Sequence, residues 1–189
     1  MSGNFKGSDS LAAEGSDSAR LQGALEREMD KVRRDHTGKD DGKYWMYFLG
    51  TTADNKDQMG LAFSTDLVHW SEATDTPVLP VRAGQFDSRV AEPGPAPIVT
   101  SKGIVLVYNG ADDELVYRTG IAVFDLHDPG HLISRSDKPV LAPEKDWEKI
   151  GQVPNVIFVE GMVRQSDRYL FYYGGADKYV GVAETSLNH

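Results

Sequence analysis

The feature that most constrains this chain is a strand unit that occurs three times. An aromatic-rich run ending in glycine is followed, after a polar turn, by a run carrying Gly-x-Ala. The pairs are YWMYFLG (44–50) with MGLAFS (59–64), IVLVYNG (104–110) with YRTGIAVFD (117–125), and YLFYYGG (169–175) with YVGVAE (179–184). Gly50, Gly110 and Gly174 close the first runs, and Gly60, Gly120 and Gly181 recur in the second at a period of about 60 residues. Runs rich in aromatic and β-branched residues, bounded by turn residues, read as strands. A period of this length with paired strands in each unit predicts the blades of a β-propeller rather than a solenoid. The small residues of Gly-x-Ala are expected to let neighbouring backbones approach near a central channel.

The connections repeat as well. Residues 66–82 and 125–143 both begin Asp-Leu, and both contain a Pro-Val-Leu run, at 77–79 and 139–141. Inner strands are predicted at APIVT (96–100) and NVIFVEGMV (155–163), and no equally clear counterpart precedes the first unit. The expected fold is all-β, a partial propeller of about three blades over 43–189. A closed propeller has four to eight blades. Three leave open edges, which predicts either a fragment of a longer protein or association with another chain, a homo-oligomer included.

Residues 1–42 differ. Ser2–Ser18 is rich in Ser, Gly and Asp and reads as a flexible tail. Leu21, Leu25, Met29 and Val32 then recur at helical spacing, with Ser18 placed to cap a short helix; a strand near Gly23–Glu28, as an incomplete blade, is the competing expectation.

Composition removes several function classes. A net charge of −9 argues against a phosphate-tracking nucleic-acid binder and against docking on an anionic membrane. The absence of cysteine removes thiolate nucleophiles, disulfides and cysteine-based zinc sites. His36, His69, His127, His131 and His189 form no metal-ligand spacing, so no metal is expected, nor any organic cofactor. No apolar signal core or membrane-length run is found, and the expected location is cytoplasmic.

Carboxylates beside the repeated strands are the residues to weigh for chemistry. Glu92 lies beside Pro93-Gly94-Pro95, read as a rigid turn just ahead of an inner strand, the alternative being a solvated loop acid. Asp87 and Arg89 flank it, as partners or as a surface pair of little consequence. Asn109 follows a strand and is placed to bond a sugar hydroxyl. Tyr117 and Arg118 open the next strand, Arg118 suiting an anion or a carboxylate. Glu160 interrupts an apolar strand, so it must face a polar channel or find a partner. Asp177 occupies a turn, where aspartate is ordinarily a turn residue.

Taken together, GKYWMYF, LAFSTDLVHW, EPGPAPI, the YNG-to-YRTG pair, RSDKPVLAPEKDWEKIGQVPNVIFVEGMV and YYGGADKYVGVA resemble glycoside hydrolase family 130, in order from Gly42 to Ala183. That family contains β-mannoside phosphorylases and related hydrolases on a five-bladed propeller. The resemblance covers the later blades only. It implies a carbohydrate-active protein working on β-mannosides, with an oligosaccharide as partner. It raises Asp177 to a contact of the sugar next to the cleavage point. It places Glu92, as the catalytic candidate, on the nucleophile-binding side. Asn109 stands where the phosphorylases typically have a phosphate-binding histidine. That departure inclines the expectation towards hydrolysis, with Glu92 activating water. Phosphorolysis, with inorganic phosphate as co-substrate and Arg89, Arg118 and Lys138 as its ligands, is the alternative. A non-catalytic carbohydrate-binding fragment is the third. The family's general acid has no counterpart in residues 1–42 and is left unassigned.

Overall fold

The structure, a computed structural model, describes residues 42–186. The expected tail, helix or incomplete blade before Gly42, and His36 and His189, lie outside the described residues. The described chain is mostly β. The first unit pairs β1 (Tyr44–Thr51) with β2 (Asp57–Ser64), and β3 (Ser71–Glu72) adds to β2. The second contains β4 (Val90–Pro93), β5 (Ile98–Thr100), β6 (Gly103–Ala111), β7 (Tyr117–Phe124) and β8 (Leu132–Arg135). A four-residue helix, α1 (Asp146–Lys149), precedes the third unit. That unit is β9 (Ile157–Gln165), β10 (Arg168–Gly175) and β11 (Tyr179–Ser186). One sheet runs β1-β2-β4-β6-β7-β8, and a second runs β11-β10-β9. All pairing inside the units is antiparallel; Asp57 to Val90 is a single parallel rung between units. An isolated parallel bridge from Tyr117 to Val156 repeats that rung at the next junction.

The cross-strand register explains the repeated glycine. Phe48 faces Gly60, Tyr108 faces Gly120 and Tyr173 faces Gly181. A Cβ built on these glycines would lie 2.4, 2.3 and 2.4 Å from the facing ring. Each glycine is therefore the bed on which an aromatic ring of the partner strand lies, and not a point where backbones meet, as its small size suggests from sequence. The close backbone approach occurs instead at Gly94, where a Cβ would meet the carbonyl oxygens of Val107 at 2.7 Å and Val159 at 2.8 Å. The register also aligns Gly175, rather than Gly174, with Gly50 and Gly110.

The Pro-Val-Leu runs are structural equivalents. Val78 N–H donates to Met59 O and Val140 N–H to Thr119 O, both at 2.8 Å, and in each unit the acceptor directly precedes the ring-bearing glycine. The second inner strand departs from expectation. It begins at Val90, not at Ala96, and Gly94–Pro97 interrupt it. Pro93 pairs with Tyr108 before the break, and Ile98 pairs with Val105 after it. Pro95 and Pro97 have no N–H for the ladder, which accounts for the gap.

β6 and β7 are buried on both faces. Ile104, Leu106, Tyr108, Ala122 and Phe124 pack towards the first unit with Met59, Leu61 and Leu79. Val105, Val107, Ile121 and Val123 pack towards the third with Val159, Phe171 and Tyr173. A strand covered on both sides reads as a continuous apolar run, which is what IVLVY is. β1, by contrast, alternates exposed and half-buried residues.

Candidate functional site

The junctions between units gather most of the predicted residues. A cleft of about 680 Å³ is lined by Leu115, Tyr117, Val153, Val156, Phe158, Glu160, Gly174 and Asp177. Tyr117 opens β7, and its ring meets Phe158 at 5.8 Å between centroids. Aromatic faces bordered by a few polar groups are the usual lining of a small-molecule site.

Glu160 enters the cleft through a bulge. Tyr172 pairs with Gly161 and Tyr173 with Val159, so Glu160 is the extra residue of β9. A bulge bends the strand and re-aims the side chain it frees. Asp177 reaches the cleft on a tight turn. Ala176 and Asp177 both have positive φ, 47° and 51°, and Lys178 N–H donates to Gly175 O at 3.1 Å. Three residues, 176–178, join the strands, and two successive positive φ values suit the twist of a hairpin turn, although glycine or asparagine usually supplies them. Here the turn is held from outside: Ala176 O accepts from the N–H groups of Gln152 and Val153, and Ala176 N–H donates to Val156 O.

Glu92 is not in that lining; it lies on β4, as a residue of the inner strand opposite Asn109 and not on a turn ahead of it, and its charge couples to Glu160 and Tyr117 of the cleft. Its carboxyl is pushed up to about 7, first by burial and then by the charges of Asp57 and Glu160. The Tyr117 phenol is raised by burial, and then by Glu92, Asp57 and Asp177, while Arg89 opposes. Glu92, Tyr117, Glu160 and Asp177 are thus brought together, with Arg89 at the margin, where it donates to Asn55 O. Asp57, which sequence reasoning missed, belongs to the cluster. Its signal was an acid at the strand-opening position that Tyr117 occupies one unit later.

The remaining candidates lie elsewhere. Asn109 is fully buried; its amide donates to Val159 O at 3.0 Å and accepts from Val159 N–H at 2.9 Å. It pins β6 to β9 from a position closed to solvent. Arg118 is bound to Asp112 at 2.6 Å. Burial alone would raise Asp112, but hydrogen bonds from Arg118 and the backbone hold it below the usual range. Lys138 is exposed on the segment after Ser136, whose carbonyl oxygen accepts from Arg82. Asp87 is no surface partner of Arg89. It is wholly buried, ion-paired to Arg82 at 2.8 Å and Arg135 at 2.6 Å, and accepts from the Tyr108 hydroxyl at 2.7 Å.

Residues 27–189 match the profile of glycoside hydrolase family 130 described as β-1,4-mannooligosaccharide phosphorylase. The chain belongs to glycoside hydrolase family 130. This family-130 chain is 44% identical over 124 residues to the 1,2-β-oligomannan phosphorylase of Thermoanaerobacter sp. (strain X514), a match covering 65% of this chain and 41% of that protein. The β-1,2-mannobiose phosphorylase of Listeria innocua, solved with β-1,2-mannobiose, superimposes with a TM-score of 0.70 at 32% identity, over 78% of this chain and 41% of that one. A second structure comes with the statement that this family of mannoside phosphorylases contains glycoside hydrolases targeting β-1,2-mannosidic linkages in Candida mannan. It is 40% identical, with a TM-score of 0.68, over 78% of this chain and 44% of that one. The family-130 chain therefore spans less than half the length of the relatives it matches.

Proposed function

We propose that this chain contributes to a site that cleaves β-mannosidic bonds of oligosaccharides by transferring the mannosyl group to inorganic phosphate. The observation that carries the cleavage reading is Glu92, a half-buried carboxyl pushed up to about 7 and coupled to Glu160, which lines the aromatic cleft. A group that titrates near neutrality is suited to passing a proton to or from the reacting oxygens. Tyr117 and Phe158 offer an apolar surface to a sugar ring, and Asp177 and Glu160 offer acceptors to its hydroxyls. Phosphate as acceptor is supported by the activities named for the Thermoanaerobacter and Listeria relatives. The sequence alone inclined towards water; the relatives favour phosphate. The three units are proposed to be blades of the propeller that the family resemblance implies.

Hydrolysis is the second reading, and one observation favours it. Asp57, Glu92 and Glu160 crowd negative charge where an anion would approach, and neutral water pays no such repulsion. The test is to incubate the chain with β-1,2- and β-1,4-mannobiose, with and without phosphate. Mannose 1-phosphate formed only when phosphate is present is the expected result. Free mannose at an equal rate without phosphate selects hydrolysis. No product from either sugar, with binding retained, selects a carbohydrate-binding role.

A further inference from the structure

The two junctions between units are built alike and furnished differently. At the second junction, Tyr117 bridges to Val156, and its ring contacts Phe158, two residues further along and on the same face of the inner strand. At the first junction, Asp57 makes the equivalent parallel rung to Val90, and its N–H donates to Arg89 O at 3.3 Å. The residue two positions beyond Val90 is Glu92. A carboxylate pair therefore occupies the place that an aromatic pair fills one unit later. Asp57 is also held from behind, since Thr51, its cross-strand partner, donates its hydroxyl to Asp57 Oδ1 at 2.7 Å. Both acids are half-buried.

We propose that Asp57 is a positioning residue of this site, fixed by Thr51 so that its carboxyl is held across the junction from Glu92. The proposal rests on the reading of Glu92 given above and adds a residue that, after burial, contributes to its protonation. The charges acting on Glu92 are those of Asp57 and Glu160, and Asp177 and Arg89 reach the cluster through Tyr117. Asp57 lies on β2, Glu160 on β9 and Tyr117 on β7; Asp177 is on the β10–β11 turn and Arg89 on the segment entering β4. Asn109, opposite on β6, is neutral. Burial and Glu160 act in the same direction as Asp57, so removing Asp57 relaxes part of the effect and not all of it.

The experiment follows the Glu92 side-chain carboxyl by carbon-detected NMR titration in the intact chain. The expected wild-type midpoint is about 7. Asp57→Asn keeps the shape and the acceptor for Thr51 but removes the charge, and the midpoint should fall by roughly one on the pH scale. Thr51→Val, which releases Asp57 without touching the cluster, should lower it by less and serves if Asp57→Asn does not fold. A midpoint unchanged in a folded variant of either kind overturns the role of Asp57. The reading of Glu92 fails separately, when wild-type Glu92 titrates in the ordinary glutamate range or Glu92→Gln retains full mannobiose cleavage.

Discussion

At the scale of single residues, Glu92 carries the sharpest expectation. Its folded carboxyl titrates near 7 against an ordinary 4.5. A raised acid stabilises the fold while protonated, so its contribution is complete below about 4.5 and is lost as pH climbs through 7. Thermal melts of the wild type should therefore show stability declining between those limits, and Glu92→Gln should flatten that decline. An unchanged slope in the variant would place the proton elsewhere. The residue scale is also where the sequence was least legible. Glu160 could be singled out because an acid in an apolar strand needs a reason, and Glu92 because it stands beside the rigid run Pro93-Gly94-Pro95. Asp87 could not be told from a surface acid, because its partners Arg82 and Arg135 come from different connections and meet only in three dimensions. Asp57 was missed for a related reason: its place in the repeat could be read, but the parallel rung that brings it to Val90 joins two units and leaves no local pattern.

At the scale of elements, the repeated hairpins were readable because their periodicity and turn residues are local properties. What could not be read was the purpose of the glycines, since the aromatic ring above each one is set by cross-strand register. Gly120→Ala drives a methyl group into the Tyr108 ring, whose hydroxyl is held by Asp87, so the ring has little freedom to withdraw. Overpacking of this kind costs about 1–3 kcal/mol. Denaturant unfolding of the variant should show that loss, and a cost under about 0.5 kcal/mol would mean that the ring is mobile. The bulge that frees Glu160 and the proline break in the second inner strand were equally hidden. Both are defects in a ladder, and a ladder is defined only once its partner strand is known.

At the scale of the whole molecule, the middle unit packs against both of the others. Alternate residues of β6 and β7 serve different cores, and Asn109 ties the middle unit to the third through both backbone groups of Val159. Asn109→Ala leaves those groups buried without partners, and the expected loss is about 1–3 kcal/mol. Amide exchange at Val159 should accelerate by the corresponding factor, and unaltered protection would show that the apolar core alone holds the junction. The overall class of the fold followed from repetition. The site did not, because it lies between units, where repetition says nothing about what each copy contributes.

Repetition within one chain offers a comparison that needs no second protein. The ring-bearing positions 48, 108 and 173 have stayed aromatic, and the glycines beneath them have stayed glycine. The positions three before those glycines, by contrast, read Asp57, Tyr117 and Lys178, and the inner-strand positions that the first two reach read Glu92 and Phe158 at the two junctions. Duplicated units keep what each needs to fold and diverge where they border one another. In such a chain, chemistry arises from asymmetry: the place where one copy holds acids and the next holds rings is where the copies stopped being interchangeable.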